Sequence, residues 1–443
     1  MRHIRGFIIG IVALLLGVCL SGCQPGAPAD GMVHLTLWQG IGPPSNREVF
    51  QALVAHFNET HRDIEVDSLY VGQPDQQIPK ILTAVVGKAA PDLLWYLPTF
   101  TGQLVELGAI QPLDDWFAQS PYRDTLDPAL LATMRFEDHL WSVPFATNNA
   151  AIFYRPSLFE AAGIAAPPKT WDELRQVAQR LTRDTNGDGR IDQHGIFLPL
   201  GKGEWTVFSW LPFIYSAGGH LIEQGPLGGV PDVVNEGAIA ALQLGADLIQ
   251  AGSAELSAPE RGYDIEQFMS GKVAMQITGP WVLPQLKSAG IDFGVFPFPV
   301  DQQPAAVLGG ENFFLCQTTP PKTQAAQAFL NYVLSPEFQV PWALQTGYIP
   351  INRDARESQP YRDFVAARPS LNVFLDQMNS AYARPMIAQY SKLSENVGRA
   401  IEATFLGESA QAALEKAQQR LSLVLRQAFD QKTKSLCNPP LQN

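Results

Sequence analysis

Cysteine is scarce: four in 443 residues, at positions 19, 23, 316 and 437. None has the close spacing that zinc ligands need, and so few thiols exclude a disulfide scaffold. Two readings stay open for Cys316: a pair with Cys437, or a buried free thiol. Positive charge is also short, with 31 Lys+Arg against 43 Asp+Glu and a formal net charge of −12. Removing Arg2 and Arg5 with an amino-terminal leader makes the balance more negative still, which argues against nucleic acid or an anionic lipid surface as partner. The seven histidines form no ligand spacing. Gly-x-Ser-x-Gly, His-Glu-x-x-His and Gly-x-Gly-x-x-Gly are missing. Gly195–Lys202 fails as a phosphate loop because its spacing is one residue long and Gly203 stands where Ser or Thr is required. There is no internal repeat and no long low-complexity tract.

The amino terminus reads as a processing segment. Arg2 and Arg5 precede an apolar run, Gly6–Leu20, whose 15 residues fall short of the roughly 20 that span a bilayer as a helix. Leu20-Ser-Gly-Cys23 follows and resembles the lipobox of bacterial lipoproteins, which implies lipidation of Cys23 after loss of residues 1–22. Residues 23–32, rich in Pro, Gly and Ala, then serve as a tether. The expected location is outside the cytoplasm, lipid-anchored to the outer face of the cytoplasmic membrane or in the periplasm. About 420 residues remain, too many for one ordinary core, so two lobes are expected.

Hydrophobic period organises the rest. Val33–Trp38 alternates as a strand, and Ser45 opens a helix with Val49, Phe50, Leu53, Val54 and Phe57 on one face. Ile64–Val71 is a second strand, Gln77–Ala89 a second helix and Pro91–Tyr96 a third strand. This β-α-β-α-β order is that of a parallel, doubly wound sheet. Trp141–Tyr154 is long, apolar and extended, which suits a segment crossing between lobes, and Phe293–Val300 suits a crossing back. Helices are expected at 171–182, 235–251, 264–270, 323–334, 336–345 and across 395–431.

Two motifs carry chemistry. Asp184-Thr-Asn-Gly-Asp-Gly-Arg-Ile-Asp192 places Asp184, Asn186, Asp188 and Asp192 where an EF-hand loop has ligands, with Gly195 where the bidentate Glu belongs. An Asx-rich turn and a weak structural calcium site both fit it; no other cofactor is indicated. The second motif is Gly271-Lys-Val-Ala-Met-Gln-Ile-Thr-Gly-Pro-Trp281, a strand that breaks at Gly279-Pro280 and delivers Trp281 just beyond its end. Alone, Trp281 reads equally as a core cap or a ligand platform. Trp38-Gln39, Trp95-Tyr96, Asn148-Asn149, Glu311-Asn312 and Tyr348 repeat the pattern of aromatics and amides at strand-to-loop junctions. Such a set suits sugars, whose CH-rich faces stack on rings and whose hydroxyls need donors and acceptors.

These motifs, in this order, are similar to those of extracellular solute-binding proteins of ABC importers, in the carbohydrate-binding family that includes maltose- and glycerol-3-phosphate-binding proteins. The carriers are Leu35-Thr-Leu-Trp38, Pro91-Asp-Leu-Leu94, Val143-Pro-Phe145 with Tyr154, the 184–195 loop, Gly271–Trp281, Gly309-Gly-Glu-Asn312 and Thr346-Gly-Tyr-Ile-Pro350. The resemblance implies an α/β, two-lobed periplasmic-binding-protein fold, each lobe a doubly wound sheet flanked by helices, with a hinge between. It places lobe 1 at 33–146 plus 304–352 and lobe 2 at 147–303 plus 353–437. It implies ligand contacts at Trp38, Gln39, Tyr96, Asn148, Asn149, Trp281, Gly310, Glu311 and Tyr348, with Arg384 added by its position after the last crossing. The implied function is non-catalytic: a monomeric receptor that closes on a sugar and docks on the permease. With Arg384 and Lys202 the only cations on offer, a neutral sugar or glycosylated polyol is favoured over glycerol-3-phosphate or a phosphodiester. A glycan-active lipoprotein hydrolase, using two distant carboxylates, is the alternative of a different class.

Overall fold

The computed structural model describes residues 31–225, 228–259 and 264–437. The leader 1–22, the lipidation site Cys23 and residues 24–30 of the tether lie outside the described residues. Among the described residues, no helix is long and apolar enough to cross a membrane.

The chain begins with strand β1 (Val33–Gln39), helix α1 (Pro44–Thr60), strand β2 (Ile64–Tyr70), helix α2 (Pro74–Val86) and strand β3 (Leu93–Tyr96). β1 lies parallel to both β2 and β3. Two short strands follow, β4 (Val143–Pro144) and β5 (Ala151–Tyr154). They belong to different sheets, so the extended 141–154 stretch does cross between lobes. The second sheet is built by β5, β6 (His194–Leu198), β7 (Ala254–Leu256), β8 (Val273–Thr278) and β9 (Gly294–Phe296), with helix α3 (Glu204–Ser216) between β6 and β7. Its order is β7-β6-β8-β5-β9. The chain then returns to the first sheet as β10 (Asn312–Leu315), giving the order β2-β1-β3-β10-β4.

Both sheets are mixed rather than wholly parallel. β10 runs antiparallel to β3 and β4, and β5 runs antiparallel to β8 and β9. The reason lies in the crossings: a strand entering from the other lobe has no local crossover helix to set it parallel. The crossings themselves touch, through bridges pairing Asn148 with Gly309 and Thr147 with Ile349.

Helices cover both faces of each sheet, which is why the strands are buried on both sides and read as continuous apolar runs. On one face of the first sheet, Phe50 and Phe57 of α1 meet Phe329 of helix α4 (Pro320–Leu334) and Phe338 and Trp342 of α5 (Pro336–Thr346). On the other face Ile81, Leu97, Phe100 and Leu104 pack with Tyr96. The larger core of the second lobe joins α3 to helices α6 (Tyr390–Phe405) and α7 (Ala410–Cys437). The single helical tract expected over 395–431 is thus two helices, broken where Gly407 takes φ +107°, a conformation an L side chain resists. Asp92 ties the first lobe together. Its carboxylate accepts from Thr36, Thr318 and Lys322, which together overcome burial and hold it below its usual range. Cys316 is a free, buried thiol, pushed up to about 12 by burial and by Asp92.

Candidate ligand-binding cleft

A cavity of about 350 Å³ opens between the lobes, where the strands of both sheets end. That volume lies within the range of small-molecule sites. From the first lobe it is lined by Gly40 beyond β1, Gln73 before α2, Trp95 on β3, Gly310 and Glu311 before β10, and Tyr348 beyond α5. From the second lobe come Glu204, Trp205 and Phe208 on the first turns of α3, Glu266, Trp281 and Gln285. Asn148 and Arg384 line it from the crossing segments.

Trp281 sits on a single 3-10 turn, Pro280–Val282, immediately after β8 and Gly279. A Cβ on Gly279 would stand 2.0 Å from the Trp281 ring, so glycine at this break lets the indole fold back over its own backbone. The ring meets Trp205 edge-on at 5.8 Å and 78°, and Tyr348 at 6.4 Å. Trp281 also packs against the apolar cores of both lobes. The two readings of this residue therefore both apply: one edge is core and another lines the cleft. Nearby, the buried Asn46 side chain of α1 donates to the Trp281 carbonyl at 3.4 Å, a bond that joins the two lobes.

The polar side of the cleft centres on Glu204 and Arg384. Arg384 Nη1 donates to Glu204 Oε1 at 2.9 Å, Tyr390 Oη donates to the same oxygen at 2.7 Å, and Ser394 donates to Oε2. The Arg384 guanidinium also lies 5.3 Å from the Phe208 ring centre. Burial is the largest influence on Arg384 and works against its charge, but Glu204, Tyr390 and Glu311 together outweigh it and raise the guanidinium above its ordinary value. Glu311 differs. Its Oε2 is enclosed without a hydrogen-bond partner, and burial pushes its carboxyl up to about 7 against the opposing pull of Arg384.

Six expected residues come together here: Asn148, Trp281, Gly310, Glu311, Tyr348 and Arg384. Four do not. Tyr96 is buried, stacks edge-on with Phe100 at 4.8 Å and donates its hydroxyl to the Pro74 carbonyl. Gln39 is buried, with Oε1 accepting from Ile41 N at 2.8 Å. Trp38 packs against the apolar cluster on the outer face of the first sheet. Asn149 is pinned by Phe374 and Gln377 of the 370–377 helix, at 2.9 and 2.8 Å. Three of these misses are offsets of one residue, because Trp95, Gly40 and Asn148 line the cavity beside Tyr96, Gln39 and Asn149. In extended chain, successive side chains point to opposite sides, so the junction is legible while its phase is not. Trp205, Phe208 and Glu204 were missed for a different reason. The 204–215 stretch is dense in aromatics throughout, and only the three- and four-residue spacing of Glu204, Trp205 and Phe208 marks one helical face. Lys202 is exposed and does not line the cavity.

The 184–192 loop lies apart from the cleft. Asp184 accepts from Gly189 N and Gly187 N at 2.7 and 2.6 Å, Asn186 from Asp188 N, Asp188 from Arg190 N, and Asp192 from Thr185. The amide of Gly189 leads the bonds that hold the Asp184 carboxyl below its usual range. Among the described residues, no group of three or more His, Cys, Asp or Glu is gathered for a metal. These oxygens serve the turn itself, and with Gly195 at the position of the bidentate Glu the loop lacks an EF-hand's closing ligand. Adding EDTA is accordingly expected to leave the melting temperature unchanged; a fall reversed by calcium would establish the ion site instead.

Residues 52–369, more than half of the chain, match the family described as bacterial extracellular solute-binding protein. The maltotriose-binding protein of Pyrococcus abyssi is 23% identical over 332 residues, 72% of this chain and 67% of that protein. The sn-glycerol-3-phosphate-binding periplasmic protein UgpB of Escherichia coli K12 is 24% identical over 445 residues, 96% of this chain and 98% of that protein. Among solved structures, the GacH receptor of Streptomyces glaucescens, described unliganded and with acarbose, superposes with a TM-score of 0.78 at 23% identity, covering 89% of this chain and 99% of that one. Two lobes of α/β architecture, a cleft between them lined from both sides, and a family match across most of the chain point the same way: this protein belongs to the bacterial extracellular solute-binding proteins, a family of receptors and not of enzymes.

Proposed function

We propose that the cleft binds an uncharged saccharide or glycosylated polyol, and that closure of the lobes presents the loaded protein to the membrane subunits of an ABC importer. The observation that carries this reading is the pair of aromatic walls: Trp95 and Tyr348 face the cavity from one lobe, and Trp205 and Trp281 from the other. Rings on both sides of a flat ligand supply stacking area, while Gln73, Asn148 and Gln285 offer amides that both donate and accept. Ligand contact to both lobes gives the closed state its differential affinity, which is what a ligand-driven closure requires. The relatives support the class, since the maltotriose-binding protein is named for a saccharide. A monomer held outside the cytoplasm by lipidated Cys23 completes the reading.

A second reading, sn-glycerol-3-phosphate, is favoured by the similarity to UgpB over nearly the whole chain. Titration calorimetry with a panel of mono- and oligosaccharides, polyol glycosides, sn-glycerol-3-phosphate and a glycerophosphodiester separates the two. The expected result is one-to-one binding of a saccharide, with a dissociation constant on the order of micromolar, and no product on prolonged incubation. Binding of the phosphate esters alone would replace the saccharide reading, and product formation would revive the hydrolase.

A further inference from the structure

The cation that an anionic ligand would seek in this cleft is already engaged. Among the described residues lining the cavity, Arg384 is the one base, and its guanidinium donates to Glu204 at 2.9 Å. Glu204 itself is held by two further donors, Tyr390 Oη at 2.7 Å and Ser394 Oγ. The side chains of Arg384 and Glu204 are only 5% and 14% exposed. Tyr390 and Ser394 lie on α6, Glu204 opens α3, and Arg384 comes from the last crossing, so three separate segments meet on one carboxylate. A second carboxylate, Glu311, faces Arg384 from the first lobe at longer range.

We propose that Glu204 is the residue that sets the charge specificity of the cleft: its carboxylate fills the place at Arg384 that a phosphate or carboxylate on the ligand would otherwise take. This rests on the saccharide reading and deepens it, naming ligands without an anionic group as the class accepted and phosphate esters as the class refused. The physical basis is competition at fixed geometry. A charged ligand oxygen would have to displace an internal carboxylate that already accepts three hydrogen bonds, and would then sit beside that carboxylate instead of one free guanidinium. Removing the Glu204 charge while keeping an acceptor turns the same arrangement into an anion site, with Arg384, Tyr390 and Ser394 all able to donate.

The test is Glu204→Gln, titrated with inorganic phosphate and with sn-glycerol-3-phosphate at low salt, beside the wild-type protein. Wild type is expected to bind neither anion. The variant is expected to gain at least tenfold in affinity for both, to lose that gain as NaCl is raised, and to lose it entirely in Glu204→Gln/Arg384→Met. A folded Glu204→Gln protein, checked by circular dichroism, that takes up neither anion would overturn the proposal. So would wild-type protein binding either anion through Arg384, an outcome that Arg384→Met alone reveals and that does not depend on the Gln variant folding. The readout is an anion and not a sugar, so this experiment fails or succeeds separately from the saccharide panel.

Discussion

Arg384→Met is expected to destabilise the protein by about 3 kcal/mol, at the low end of the range for breaking a buried ion pair by removing one partner. The Glu204 carboxylate then keeps Tyr390 and Ser394 as donors but loses the Arg384 guanidinium in a site only 14% exposed. Loss at the low end is expected because those two hydroxyls remain. Urea unfolding followed by tryptophan fluorescence measures it as a lower midpoint. The same substitution in a Glu204→Gln background should cost much less, because no uncompensated charge is left behind; the difference is the coupling between the two side chains. Equal losses in both backgrounds would mean that Arg384 contributes through packing on Phe208 and not through Glu204.

Trp281→Ala carries the largest expected effect on binding. The indole lines the cleft and stands between Trp205 and Tyr348, so its removal takes stacking area from both walls. Loss of a central aromatic anchor costs about 2 kcal/mol or more, so affinity for the saccharide found in the panel should fall at least roughly thirtyfold. Because Trp281 also packs against the cores of both lobes, a drop in stability should accompany the drop in affinity. Trp281→Phe separates the two. It keeps a ring to stack on the ligand and should recover most of the affinity while recovering less of the stability. Unchanged affinity in the alanine variant would return Trp281 to a purely structural role.

Much of the architecture was legible before any coordinates. The alternation of Val33–Trp38 and the apolar spacing of Phe50, Leu53, Val54 and Phe57 report directly on which side of an element faces a core, and those elements stand where they were expected. Trp141–Tyr154 announced a crossing by being too long and too apolar for one strand, and it splits between the sheets. The direction of β10 was not legible, because whether a strand returning from the other lobe runs parallel or antiparallel leaves no trace in its composition.

The site divides in the same way. Which junctions approach the ligand follows from punctuation such as Gly279-Pro280 and Gly309-Gly310, a local property that short-range backbone geometry imposes. Which residue of each junction faces the cavity is a matter of phase, and Trp95 rather than Tyr96 is selected by how β3 packs between β1 and β10. The charge of the cleft was decided by the tertiary structure alone. Glu204 and Arg384 are 180 residues apart, and neither carries a local pattern that names the other. Sequence by itself pointed to two α/β lobes with aromatics at strand ends, and its resemblance to solute-binding proteins implied a receptor, which the family match bears out. Only folding determined that Arg384, the one arginine among the described lining residues, meets a glutamate before any ligand does, because an ion pair is set by where two chain segments are brought together and not by either segment's own periodicity.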